Sequence, residues 1–336
     1  MNEKIRYSAK IIGTGMYVPE RIITNKYLEK FIDTSDKWIQ EKTGIKERRL
    51  SEKGELGSDL SAKSAIQAIN NSNLKPEDIE LIILATTYPD MTTPATAAIV
   101  QNKISAKNAA IFDIRNGCQG FVTGLITASK FISDGTYKNA LIIGTTQHAK
   151  FFELCKWRDR TKSVFFGDGS GAVVLERCKE NEGILSVDMG NEKDKHHLIN
   201  LPFGGIASFE NPESFDDPIL GKPMEGKEIF EFATLMVPNS IKKCLKKIDL
   251  IPEDLNFIIL HQANINIIKS IMNSLNIPMD KTYTNIEKYG NTAEASIPIT
   301  LHESIKEGKI KNGDILVLSG FGVGMGWATV AMKWNS

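Results

Sequence analysis

At 336 residues, with 41% hydrophobic and 24% charged side chains, the chain has the composition of a globular protein with room for two domains, which excludes a disordered or fibrous one. Lys plus Arg equals Asp plus Glu at 41 each, so no net field directs the chain to nucleic acid or to an anionic membrane. A local basic patch for a phosphorylated ligand stays open.

The opening MNEKIRYSAK is charged from the third residue and lacks the apolar core of a signal peptide. A helix is expected over 61–72. Pro76-Glu77-Asp78 then turns the chain into an apolar run that ends at Leu84, of buried-strand length. A strand over 109–114 ends in the Asn116-Gly117 turn, and a helix follows over 120–133. Gly135 to Asn139 leads into Leu141-Ile142-Ile143-Gly144, and the loop 167–171 opens a strand over 172–175. Helices are expected over 227–246, 264–275 and 296–307. Between the first two of these, Pro252-Glu253-Asp254 turns into Phe257–Leu260. The segment 315–332 carries no charge, but Gly320, Gly322, Gly324 and Gly326 argue for strand, glycine turn, strand over a membrane span.

The order repeats. The Pro-Glu-Asp turn and its strand recur at an offset of 176, and the pair Gly135–Gly144 and Gly308–Gly320 recurs at offsets of 173 to 176. One such pair is ordinary loop chemistry; two in the same order favour duplication. Short apolar strands alternating with helices argue for an α/β architecture with strands buried between helix layers. The halves are expected to divide as 1–178 and 179–336, in tight contact, since no low-complexity linker separates them.

Four cysteines (Cys118, Cys155, Cys178, Cys244) show no CxxC and no metal spacing, so a reduced, cytoplasmic setting without disulfides is expected. A free thiol is usually a small core residue, and Cys155, Cys178 and Cys244 are read so. Cys118 differs: it follows a strand and a turn at a helix start, where unpaired N–H groups favour a thiolate and can hold an oxyanion. Of five histidines, His148 lies past a strand end, His196 and His197 sit in a charged loop, and His302 is on a polar-faced helix. His261 emerges directly at the C-terminal end of Phe257–Leu260, where ligand sites of α/β sheets gather. Asn291 sits in the polar loop 289–292 and alone reads as a turn or cap residue. The loop 167–171 lacks the Lys-Ser/Thr of a phosphate-binding loop and precedes a strand, so it reads as a tight turn. The turn at Gly322 and Gly324 offers backbone N–H groups to an oxyanion.

Seven segments in order resemble the β-ketoacyl-[acyl carrier protein] synthase III family almost end to end: Gly13-Thr14-Gly15; Thr34 to Trp38 with Lys42 to Ile45; Cys118 to Phe121; Phe166 to Ala172; His261 to Asn264; Gly290 to Thr292; and Phe321 to Gly324. The resemblance implies a five-layered αβαβα thiolase-like fold, a homodimer, and Cys118, His261 and Asn291 as catalytic residues. It implies loading of an acyl group from acyl-coenzyme A onto Cys118, a nucleophile of depressed pKa. Decarboxylative condensation with a malonyl-acyl carrier protein, or malonyl-coenzyme A, then gives a 3-oxoacyl product in fatty acid or related biosynthesis. No metal or cofactor is implied, coenzyme A thioester being substrate. The backbone N–H groups of Cys118 and Gly324 are implied as oxyanion donors, and Trp38, Lys42, Arg160, Phe230 and Asn264 as coenzyme A contacts. Thr93 stands where a residue of the second subunit closes the acyl pocket.

The chain departs from the family pattern at four places. Lys42 replaces an Arg, Asn266 replaces an Arg of the carrier-docking face, and Val323 interrupts a triple glycine. Glu294 puts a carboxylate where a small residue is usual, either as a solvated loop charge or as an extra base. Asn266 and Glu294 motivate a second reading, an acyltransferase of a specialised pathway that forms an ester, an amide or a different C–C bond. A non-catalytic condensing partner is disfavoured because the Cys, His and Asn are all present. A non-decarboxylating thiolase is disfavoured because the loop 322–326 lacks a second cysteine.

Overall fold

The apolar runs form two sheets, each covered on both faces by helices, in a computed structural model that describes residues 7–214, 216–217 and 219–335. The first sheet has the order Tyr7–Tyr17, Gly169–Lys179, Asn139–Thr146, Leu81–Ala85, Ala110–Ile114. Its last three strands run parallel and the other pairings are antiparallel. The second sheet has the order Gly183–Asn191, Gly326–Lys333, Ile315–Gly322, Phe257–Leu260, with only the last pair parallel. The chain passes from one sheet to the other between Lys179 and Gly183.

Two helices fill the space between the sheets. Phe121 and Leu125 of Gly120–Ser133, with Ile297 and Leu301 of Ser296–Lys306, pack against Ile83 and Ile142 of one sheet and Leu316 and Leu318 of the other. Gly57–Asn70 and Thr96–Lys103 cover the outer face of the first sheet through Ala65, Ile69 and Val100. Gly226–Lys246 and Ile265–Ser274 cover the second through Ile241, Leu245 and Ile268. The result is the five-layered αβαβα arrangement. A buried Leu or Ile of the central layer contributes roughly 1.5–3 kcal/mol by burial alone, and its truncation to Ala costs about 2–5 kcal/mol once the cavity is counted.

The duplication is visible in the hydrogen-bond register. Ile82 pairs with Leu141 in the first sheet and Ile258 with Val317 in the second, each residue displaced by 176. Both Pro-Glu-Asp turns are closed in the same way, by Asp78 accepting from Lys75 N at 2.8 Å and Asp254 accepting from Ile251 N at 2.9 Å.

The expected helix 61–72 begins earlier, at Gly57, and ends at Asn70. Its buried face carries hydroxyls, which a hydrophobic pattern does not count. Ser61, Thr145, Ser170 and Ser64 form one chain of hydrogen bonds at 2.6, 2.7 and 2.7 Å. The strand Tyr7–Tyr17 lies directly on this helix, because a Cβ at Gly15 would come within 2.2 Å of Ser64 O. The strand expected over 172–175 extends to Gly169–Lys179, and 315–332 folds as two strands around a glycine turn. Among the described residues no helix is long and apolar enough to cross a membrane.

Candidate active site

Cys118 is held between two strands of different sheets. The chain leaves Ala110–Ile114, makes the short 3-10 turn Gly117–Gln119 and enters Gly120–Ser133. Gly322 backs onto this turn so closely that a Cβ there would lie 2.9 Å from Cys118 N. Val323 in turn packs against Gly117, where an added Cβ would be 3.2 Å away. Cys118 is free, and its exposed part faces a cavity. The depressed thiol pKa expected from the sequence is not found. Cavity walls, with little bulk water, surround the sulfur, so burial pushes the thiol well up, and the Glu294 carboxylate adds to the effect. The residue's own N–H, at the helix start, acts in the opposite direction.

His261 leaves the strand Phe257–Leu260 with its backbone N–H bound to Ser319 O at 3.0 Å. Its ring is 2% exposed, with Nδ1 2.7 Å from Ser296 Oγ and one edge against Phe321 at 5.4 Å between centroids. Burial pushes its pKa down to about 3, so the ring is neutral and its other nitrogen, Nε2, can serve the cavity. Asn291 is pinned at three points. Its N–H donates to Phe165 O at 2.8 Å and its C=O accepts from Gly167 N at 3.0 Å. Its Oδ1 accepts from Ala293 N at 2.8 Å. A backbone N–H can bind only the oxygen of an amide, so the assignment leaves Nδ2 as the free donor.

Cys118, His261 and Asn291 therefore come from three distant segments to one cavity of about 280 Å³. Trp38, Lys42, Phe230 and Asn264 line the same cavity. Arg160 is not in its wall but stacks over Trp38, its guanidinium carbon 4.4 Å from the ring centre. Asn264 caps Ile265–Ser274 and donates to Lys42 O at 2.8 Å. Gly324 does not reach the cavity. It lies further round the turn, where an added Cβ would meet Asn191 Nδ2 at 3.0 Å, and Gly322 and Val323 line the wall instead. Thr93 is exposed and lines no part of this chain's own cavity.

Two of the departures acquire definite roles in packing. Asn266 ties the start of its helix to the end of Asp36–Thr43, donating to Lys42 O at 3.1 Å. Glu294 is no solvated loop charge: it is 1% exposed, accepts a short hydrogen bond from Thr87, and has an Oε2 with no partner among the described residues. Burial pushes its carboxyl up to about 7. The sequence reading set His148 aside and did not single out Thr87, which both line the cavity, or Ser296, whose hydroxyl meets His261 Nδ1.

Family models match along both halves: 3-oxoacyl-[acyl-carrier-protein] synthase III over residues 112–193 and its C-terminal region over 245–334. The chain is 45% identical over 330 residues to a beta-ketoacyl-[acyl-carrier-protein] synthase III of Clostridium acetobutylicum, covering 98% of this chain and 99% of the relative. It is 43% identical to the protein of that name from Caldanaerobacter subterraneus subsp. tengcongensis, over the whole of both chains. The crystal structure of 3-oxoacyl-[acyl-carrier-protein] synthase III from Aquifex aeolicus superposes with a TM-score of 0.88 at 40% identity, covering 97% of this chain and all of that one.

Proposed function

Because the chain belongs to the 3-oxoacyl-[acyl-carrier-protein] synthase III family, we propose that Cys118, His261 and Asn291 perform that family's two half-reactions in this protein. The chain is a condensing acyltransferase that joins the acyl group of an acyl-coenzyme A to a malonyl-acyl carrier protein in fatty acid synthesis. The observation that carries the residue assignment is the convergence of these three side chains on one cavity.

In the first half-reaction the Cys118 sulfur attacks the acyl carbon. The bond from that carbon to the coenzyme A sulfur breaks, and the Cys118 proton ends on the departing thiol. Trp38 with Arg160 above it, and Lys42, Phe230 and Asn264, form the coenzyme A approach: a flat aromatic and guanidinium surface for the base, cations for phosphates. The tetrahedral oxyanion is held by the N–H of Cys118 and by the 322–324 loop, of which Gly322 and Val323 line the cavity.

In the second half-reaction the malonyl carboxylate leaves as carbon dioxide and its electron pair passes to the α-carbon as an enolate. Asn291 Nδ2 donates to the enolate oxygen, and His261 donates from its neutral Nε2–H when Ser296 supplies the proton to Nδ1. The α-carbon then attacks the acyl carbon and the Cys118 sulfur leaves. The malonyl carrier is the acceptor, and a reduced cytoplasmic setting suits four free cysteines. A homodimer is supported by the edge strand Ala110–Ile114, whose outer side is unpaired among the described residues and whose Phe112 and Ile114 continue the core.

Intact-protein mass after exposure to acyl-coenzyme A thioesters tests the assignment. One acyl adduct is expected on the native chain and none on Cys118→Ala, with Cys155→Ala, Cys178→Ala and Cys244→Ala unaffected. An adduct that survives in Cys118→Ala ends it.

A further inference from the structure

The part of the cavity wall that includes Thr87, His148, Phe165 and Phe166, beside Cys118, is more polar than a pocket for a plain alkyl chain requires. His148 starts the helix His148–Leu154 directly after the strand Asn139–Thr146, and it is 4% exposed. Its ring is held by three contacts. It stacks on Phe166 at 4.4 Å between centroids, meets Tyr88 edge-on at 4.6 Å, and shares a short hydrogen bond between Nδ1 and Thr146 Oγ1. With Nδ1 engaged, Nε2 has no hydrogen-bond partner among the described residues. Behind this wall, and outside the cavity lining, Tyr88 Oη and Glu294 Oε2 are buried without a partner among the described residues. The Thr87 hydroxyl is already spent on Glu294.

A hydrocarbon tail against this wall leaves His148 unsatisfied, and a buried polar group without a partner is costly. A tail with a matching oxygen does not. The sign of the charge also narrows the class. Burial pushes His148 down to about 3, so it is a neutral imidazole throughout the working range. The Lys162 ammonium is occupied by Leu220 O and Lys222 O at 2.6 Å and by Asp159 at 3.0 Å. Arg115 is exposed and bound to Thr87 O at 3.2 Å. Glu294 is the nearest acid. A carboxylate-ended donor would find no free cation in this wall and a carboxyl behind it.

We propose that His148 makes the acyl pocket select donors whose chain carries an uncharged hydrogen-bonding oxygen, a hydroxyl or a ketone, over alkyl donors of the same length. The inference rests on Cys118 being the acyl acceptor as described above.

Acylation of the native protein by butyryl-, 3-hydroxybutyryl-, 4-hydroxybutyryl-, acetoacetyl- and succinyl-coenzyme A, followed by intact mass, tests both statements separately. Absence of any adduct at Cys118, with octanoyl-coenzyme A run beside these donors, refutes the acceptor reading. With adducts present, at least one oxygenated neutral donor is expected to exceed butyryl in kcat/KM by roughly ten-fold or more, the scale of one matched buried hydrogen bond. Succinyl is expected to be the slowest. Butyryl loading faster than every oxygenated neutral donor overturns the proposal without any variant. His148→Leu is expected to lose the preference and His148→Gln, which keeps a polar tip, to retain most of it. Thermal unfolding checks that both are folded, and a preference unchanged in folded His148→Leu also overturns the assignment.

Discussion

His261 Nδ1 lies 2.7 Å from the hydroxyl of Ser296, at the first turn of the central helix Ser296–Lys306. That contact decides which of the two ring nitrogens carries the proton. If Ser296 donates, Nε2 carries N–H toward the cavity and is a donor to an enolate; if Ser296 accepts, Nε2 is a base. Ser296 is therefore a positioning residue. Ser296→Ala is expected to lower malonyl decarboxylation by roughly ten-fold or more, the scale of a misoriented transition-state donor. Acyl loading on Cys118 should fall much less. Ser296→Thr should restore most of the loss, since it keeps the hydroxyl; equal losses in both half-reactions would mean a merely structural role.

His261→Ala and Asn291→Ala remove the donors themselves. Both variants are expected to form the acyl adduct and to lose malonyl decarboxylation by about two orders of magnitude or more. Carbon dioxide release from a malonyl thioester, measured on the pre-acylated variants, gives the answer. Condensation at native rates in both would remove His261 and Asn291 from the second half-reaction.

Glu294 predicts two pH effects. Its folded pKa of about 7 lies above the ordinary 4.5, so the folded state holds this proton more tightly than the unfolded chain does. The associated stability is full below pH 4.5 and is lost as the pH rises through about 7, by up to roughly 3 kcal/mol. Glu294→Gln should lose less stability than the native protein between pH 5 and pH 8 in urea unfolding. The same substitution removes a negative charge that opposes the Cys118 thiolate. The midpoint of Cys118 alkylation against pH should therefore move down. Coincident midpoints in the two proteins would dismiss the electrostatic link.

Thr93 sets donor length if it closes the pocket of a second subunit. A Thr leaves space there that a Phe would fill, and each added methylene of substrate is worth roughly 0.8 kcal/mol. Three or four methylenes then favour a longer donor by ~2–3 kcal/mol. Competition between acetyl- and octanoyl-coenzyme A for Cys118 should go to octanoyl in the native protein and to acetyl in Thr93→Phe. A native preference for acetyl would show that Met91 or Tyr88 fills the space instead.

The strands, and the placement of Cys118 and His261 at their ends, were legible in the sequence, because apolar runs bounded by glycine and proline turns mark the strands. Cys118 and His261 sit where two such runs end. The buried hydroxyls of Ser61 and Ser64 were not legible, since a serine facing inward against Thr145 and Ser170 looks like a serine facing water. Glu294 and His148 were hidden for a related reason. Each is a polar residue beside a loop, and only the packing of distant segments shows that water is excluded from both. The thiol of Cys118 was misjudged because a helix start is a local feature, whereas burial and the Glu294 charge come from the tertiary fold.

The shift of 176 that relates Ile82 to Ile258 also relates Cys118 to Glu294. Each precedes a central helix by two residues, at Gly120 and Ser296. Each is backed by an equivalent glycine, Gly320 behind Cys118 O at 3.5 Å and Gly144 behind Glu294 O at 2.2 Å from an added Cβ. In an ancestor of half the length, assembled as a symmetric pair, one codon would have specified both places. In the present chain the two places differ, one a thiol and the other a carboxyl that raises the thiol's pKa, so the chemistry at Cys118 depends on both halves.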